Sequence, residues 1–373
     1  MEDAPINTPG ELKKEIEKKE EDNYDDIELE KPIEIKSEED LKNLEDTTEK
    51  IEINVSFPNL LETLNSKNFQ KLEILSLDGV KISSIDFLTN DKYNSLAILE
   101  LKNNAITTIQ KISDTHCKDL KILNLSSNQI SSLQNFDKSP FKDLQILVLS
   151  DNQIETISQI AAGSFNNLNK LDLCRNKITE IDSLAENDSL KNLKSLYLSG
   201  NKISKISVLS NEIFKNLEEL QLESNKIESI DDLAGAYFTE LKELYLFNNK
   251  IKSIDVLKKV KFNKLKTLNL GKNQIKDIKA FGSSKFNELE TLGLFDNQIE
   301  DISILKTVPF KTIIKKLDLS FNSLKSVEVL FEETFHFEEL KLGGNDSLDY
   351  SKPLIKKIYD KYKIKYTFES FFE

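Results

Sequence analysis

Residues 241–254 read LKELYLFNNKIKSI, and the same pattern recurs along the chain. It begins as LEILSLDGVKISSI at Leu72 and returns as LAILELKNNAITTI at Leu96, LKILNLSSNQISSL at Leu120, LQILVLSDNQIETI at Leu144 and LNKLDLCRNKITEI at Leu168. Further copies are LKSLYLSGNKISKI, LEELQLESNKIESI, LKTLNLGKNQIKDI and LETLGLFDNQIEDI; a looser IKKLDLSFNSLKSV follows, and the pattern fades at FEELKLGGNDSL. The copies start at residues 72, 96, 120, 144, 168, 193, 217, 241, 265, 289, 314 and 337, a period of 24 that twice lengthens to 25 and once shortens to 23. A register held from residue 72 to residue 348 is not a chance alignment.

Inside LxxLxL the leucines alternate with other residues, which marks a short strand with its leucines on one face. One strand cannot bury that face alone, so the copies must stack into a continuous core. The motif LxxLxLxxNxI at this period is the leucine-rich repeat signature. The expected fold is therefore an α/β solenoid, a horseshoe of about 12 units with a parallel sheet on its concave face and short helical turns on its convex face. The Asn of each unit carries two donors and an acceptor, enough to satisfy backbone groups left unpaired where the strand bends away. It recurs at 104, 128, 152, 176, 201, 225, 249, 273, 297, 322 and 345, and Val80 replaces it in the first unit. That exception places Val80 near the end of the ladder. An aromatic residue three positions before the next leucine (Phe69, Tyr93, Phe141, Phe165, Phe214, Phe238, Phe262, Phe286) is expected in the core under the convex turns.

Charge divides the chain. Residues 1–50 hold 19 Asp and Glu against 8 Lys, a net of −11 out of −13 overall. Residues 1–30 are expected to be an acidic disordered tail that keeps the protein soluble or steers a basic partner. Residues 31–71 read as an N-terminal cap and degenerate first repeat: PIEI as a strand, SEEDLKNLE as a helix capped by Ser37, and IEINV as a strand one period before the first full unit. Residues 72–348 are the repeats, and 349–373 read as a helix followed by a strand that closes the other end.

No stretch reads as a signal peptide or membrane span, and neither end carries a cysteine cluster, so a cytoplasmic or nuclear monomer is expected. Cys117 takes an aromatic slot and reads as a small buried hydrophobe. Cys174 is expected on the outward face of its strand beside Arg175, the one arginine of the chain. Catalysis is argued against by His116 and His336, which lie nine units apart, and by the absence of a phosphate loop or metal-ligand spacing; no cofactor or metal is expected. Lysines interspersed with acids leave no basic stripe for nucleic acid.

The third, fifth and seventh positions of each unit alternate with the buried leucines and face the concave side. Two apolar features stand there. One is the row Ile74, Ile98, Ile122 and Ile146 with Val148; the other is the aromatic group Tyr197, Tyr245, Phe247 and Phe295, ringed by Glu223, Asp296 and Asn269, with Gly271 and Gly293 leaving open space beside it. Exposed aromatic residues at the centre of a concave surface match the anatomy of a binding hot spot, so both groups are candidate partner-binding residues. For the isoleucines, stacking along the ladder or cover from PIEI is an alternative.

The units, with Ile in NKIESI, NKIKSI and NQIKDI, resemble the subfamily that includes the leucine-rich regulatory subunit of type 1 protein phosphatase, and also the bacterial internalins. The resemblance spans residues 48–348, although the period of 24 departs from the 22 common in both groups. The first resemblance implies an intracellular, non-enzymatic scaffold or regulatory subunit whose concave face holds a protein such as a phosphatase catalytic subunit. The second implies a secreted or surface adhesion and recognition protein. Neither resemblance carries over contact residues position by position.

Overall fold

The structure, a computed structural model, describes residues 32–69, 71–348 and 353–362. Its fourteen strands lie in one parallel sheet in strict chain order, which is the expected solenoid. β1 (Ile33–Ile35) and β2 (Lys50–Ile53) open the sheet, and β3 (Ile74–Leu77), β4 (Ile98–Glu100), β5 (Ile122–Asn124), β6 (Ile146–Val148) and β7 (Lys170–Asp172) follow. β8 (Ser195–Tyr197), β9 (Glu219–Gln221), β10 (Glu243–Tyr245), β11 (Thr267–Asn269), β12 (Thr291–Gly293), β13 (Lys316–Asp318) and β14 (Glu339–Lys341) complete the sheet. Register follows the repeat: Leu220, Leu244, Leu268 and Leu292 sit side by side on successive strands. A slip of one residue would turn every buried leucine outward, so burial of this face pins the pairing.

The convex side is built from short 3₁₀ turns, each spanning three to five residues, with one α-helical turn in the repeats. All eight aromatic residues predicted for this layer are buried, as is Cys117, and Leu190 fills the same slot in a unit that lacks the ring. A second apolar row on the turns, running from Leu88 through Phe136 and Phe281 to Leu330, packs beneath them.

Between the layers runs the asparagine ladder. Asn128 shows its chemistry: the side-chain oxygen accepts the Ile106 amide at 2.9 Å, and the amide nitrogen donates to the carbonyls of Leu101, Leu125 and Ser126 at 2.9–3.1 Å. Each asparagine thus ties its own strand end to the preceding unit. The same contacts recur at Asn225 and Asn297.

Short helices pack at both ends of the described sheet. In α1 (Glu38–Asn43) the Ser37 hydroxyl accepts the Asp40 amide at 3.2 Å, the predicted cap, and Leu41 is buried. Carbonyls at the end of α2 (Leu60–Ser66) receive Lys92 Nζ, at 3.1 Å from Leu64 O and 2.9 Å from Lys67 O. After α3 (Ser158–Ala162), the one α-helical turn of the repeats, comes α4 (Pro353–Tyr362). There Ile358 is buried, and the Tyr362 hydroxyl donates to Leu330 O at 2.9 Å. The acidic segment 1–30 and the strand expected after α4 lie outside the described residues.

Candidate functional site

The inner face is more tightly packed than alternation alone suggests. Strands of a curved sheet draw together on the concave side, and neighbours only about 4.8 Å apart leave large side chains covering one another. Four fifth-position residues serve the backbone: the side chains of Asn124, Asp172, Asn269 and Asp318 accept the amide two residues on, at 2.9–3.0 Å. These Asx turns close the strand ends and are buried. Just beyond them the chain passes through the left-handed region at the eighth position of each unit, at Asp151, Arg175, Asn248, Asp296 and Phe321 among others. Arg175 is held there by a bidentate pair with Asp151, both contacts at 2.6 Å.

Against this frame the isoleucine row is a small core rather than an open patch. Ile74, Ile98 and Ile122 are 3–9 % exposed and pack on one another and on Ala97 and Ile146; Val148 is also buried, and only Ile146 is half-exposed. PIEI does not fold over the row: it joins the sheet as β1, with Ile35 in the core and Ile33 49 % exposed. The expectation of an exposed aliphatic patch is corrected accordingly, because stacked β-branched residues one strand apart cover each other.

Among the aromatics, Phe295 is 1 % exposed, and its ring lies over the backbone of Gly271, where an added Cβ would come within 2.1 Å of it. The open space expected at Gly271 is therefore filled. Phe247 packs against this ring, the centroids 6.4 Å apart, and remains half-exposed. Gly271→Ala should unseat Phe295 and lower stability by about 1–3 kcal/mol in chemical denaturation; an unchanged midpoint would show that the ring has room to move.

Tyr197 is 8 % exposed, its hydroxyl donating to Glu219 Oε2 at 2.6 Å while Lys170 Nζ lies 5.0 Å from its ring centroid. Half-exposed Tyr245 donates to Glu243 Oε2, also at 2.6 Å. Gln221 Nε2 reaches Glu219 Oε1 at 2.8 Å, and Glu223 is buried. Burial, with the charge of Glu219, pushes the Tyr197 hydroxyl well above its ordinary range. Tyr245 is pushed up likewise, by burial first and then by Glu243, Glu219 and Glu223. Both phenols stay protonated donors. Glu219 and Glu243 occupy third positions, which the alternation turns toward this face. The available signal was a Glu at the third position beside a Tyr at the fifth, in the same unit or the next.

Cys174 corrects another expectation: it is 2 % exposed, enclosed by the neighbouring concave side chains. Burial, with Asp172 and Glu223 adding to it, holds its thiol well above the ordinary range, and burial pushes Cys117 up to about 12. Neither thiol should react with a disulfide reagent at pH 8 until the protein unfolds. Since the unfolded thiols ionise near 9 and the folded ones do not, stability should fall as pH rises from about 9 toward 12. A pH series of urea midpoints checks this; rapid labelling of the native protein would contradict it.

His116 and His336 are exposed, and among the described residues no group of three or more His, Cys, Asp or Glu is placed to hold a metal ion. No described helix is long and apolar enough to cross a membrane.

Comparison with known proteins agrees with this geometry. Leucine-rich repeat models match residues 94–154 and, in overlapping pairs of copies, residues 142–307, together more than half of the chain. No curated protein sequence matches. Among solved structures, an internalin (InlF) of Listeria monocytogenes is similar at 25 % identity and a TM-score of 0.64, over 77 % of this chain and 81 % of its own. A leucine-rich repeat protein of Leptospira interrogans shares the fold at 22 % identity and a TM-score of 0.63, over 85 % and 83 % of the two chains. A plant peptide hormone receptor, solved in complex with RGF2, shares it at 19 % identity and a TM-score of 0.58, over 84 % of this chain and 50 % of the receptor. Such folds act generally as protein-interaction scaffolds and are typically non-enzymatic. With the repeat signature, the single parallel sheet and these matches in agreement, the chain belongs to the leucine-rich repeat proteins.

Proposed function

We propose that this protein is a non-enzymatic scaffold or regulatory subunit that holds a partner protein on its concave face, centred on β9 to β11. The observation that carries the reading is the pair Tyr245 and Phe247. These two rings stay partly exposed on a surface where Tyr197, Phe295, Val148 and most of the isoleucine row are covered. Large aromatics left partly open amid packed polar neighbours supply contact area at little entropic cost. Two buried, unpaired cysteines fit a reducing compartment, so the cytoplasm or nucleus is the proposed location. A phosphatase catalytic subunit as partner rests on the sequence resemblance alone.

Affinity capture from the source cell tests the reading, comparing wild type with a Tyr245→Ser, Phe247→Ser variant and with a Tyr237→Ser, Phe331→Ser variant of the exposed aromatics outside the concave face. A partner should be lost with the first variant and kept with the second; retention by both would overturn the concave assignment. A second reading, a surface recognition protein, is favoured by the 25 % identity to an internalin. Cell fractionation separates the two by whether the protein is found inside the cell or at its surface.

A further inference from the structure

Around Tyr245 the sheet presents a grid fixed by register. Glu219 and Glu243 lie side by side in one row, Gln221 and Tyr245 in the next, and the Glu223 and Phe247 carbonyls accept the Gly200 and Ser224 amides in the third. Three carboxylates thus share two strands with two half-exposed rings. One strand away, in register with Glu223, stands Ser199. Its hydroxyl is buried, the residue being 7 % exposed, and has no hydrogen-bond partner among the described residues. A buried hydroxyl in that condition costs free energy until a donor or acceptor reaches it.

From these three features together, we infer that the β8–β10 part of the concave face is a receptor for a basic side chain, presented by an extended segment of the partner protein. The inference rests on the concave-face reading above and adds the chemistry of the partner. A lysine or arginine stem lies against Tyr245 and Phe247, as amphipathic side chains do on apolar surface. Its charged head meets the Glu223 carboxylate and donates to the Ser199 hydroxyl in the same row, while Glu219 and Glu243, about 13 Å away along the strands, add attraction at longer range, and the head gains from the ring faces as cations do over aromatics. An acidic segment is disfavoured by the same carboxylates, which makes the site selective by repulsion as well as attraction.

The test uses the full chain and a fluorescein-labelled peptide alternating lysine with leucine, beside its counterparts carrying glutamate or glutamine in place of lysine. Anisotropy titrations compare wild type with Glu219→Gln, Glu223→Gln, Glu243→Gln and with Glu180→Gln, Glu186→Gln, Glu228→Gln. Glu180, Glu186 and Glu228 are exposed away from the grid, so both variants lose the same charge. Circular dichroism and urea midpoints confirm that all three proteins fold. The lysine peptide should bind wild type and the outer variant alike, bind the grid variant at least tenfold more weakly, and outcompete both counterparts. Ser199→Ala should weaken it by a few fold more than it weakens the glutamine peptide. Equal loss in the two triple variants would mean attraction by net charge alone and overturn the site, as would equal binding of the glutamate peptide. If the lysine peptide fails while Tyr245→Ser, Phe247→Ser still abolishes partner capture, the partner chemistry falls and the concave-face reading stands.

Discussion

Asn225→Ala is expected to lower stability by about 3–5 kcal/mol. The Asn225 oxygen accepts the Ile203 amide at 3.0 Å, and its nitrogen donates to the carbonyls of Leu198, Leu222 and Glu223 at 3.0, 3.0 and 3.3 Å. Truncation leaves the Ile203 amide buried without this acceptor, at about 1–3 kcal/mol, and removes two N–H donors shared among the three carbonyls, at roughly 0.5–1.5 kcal/mol each. The loss is partly offset because the Leu198 and Leu222 carbonyls also accept from Asn201 and Asn249. Since a solenoid is held by contacts between neighbouring units, unfolding should become less cooperative, with amide exchange accelerating first around Ile203. A urea midpoint within experimental error of wild type would refute the structural role of the ladder.

The one exception to the ladder obeys the same rule. Across a unit of 24 residues the asparagine oxygen accepts the amide 22 positions earlier, as Asn104 does from Ile82. For Val80 that position is Pro58, which has no amide hydrogen. Asparagine there would bury an acceptor without its donor, so Val80→Asn should destabilise by about 1–3 kcal/mol although it restores the consensus. Stabilisation by this change would contradict the account.

Phe262→Ala carries a comparable expected cost, about 3–5 kcal/mol, through lost apolar burial and the cavity left behind. Its ring is wholly buried on the convex side, 5.5 Å from the Phe238 centroid. The slot itself tolerates other shapes, since Leu190, Tyr93 and Cys117 occupy it elsewhere. Phe262→Leu should therefore cost less than half as much as alanine. Equal costs for the two substitutions would mean that the ring, rather than the filled volume, is what the slot requires.

Fold, strand register and both apolar layers were legible because a period of 24 repeated over twelve units averages out local ambiguity. The helix cap at Ser37 was legible from one serine and the acids that follow it. Depth on the concave face was not. Alternation says which way Phe295 points, whereas its burial depends on the Gly271 backbone of the preceding strand, 24 residues away. Cys174 was misjudged for the same reason, and of the readings held open for the isoleucine row the stacked one is observed: cover comes from neighbours across the curved sheet. The tyrosine–glutamate contacts combine both cases, with Tyr245 meeting Glu243 on its own strand and Tyr197 reaching Glu219 on the next.

The most direct test of the concave face as the binding site is photocrosslinking in the source cell. A benzophenone side chain would replace Thr267, half-exposed on β11 beside Glu243, or Tyr237, 52 % exposed on the outer side. Irradiation should give a discrete crosslinked species from position 267, abolished by Tyr245→Ser, Phe247→Ser, and none from position 237. A crosslink from position 237 alone, or one from 267 that survives loss of both rings, would contradict the account.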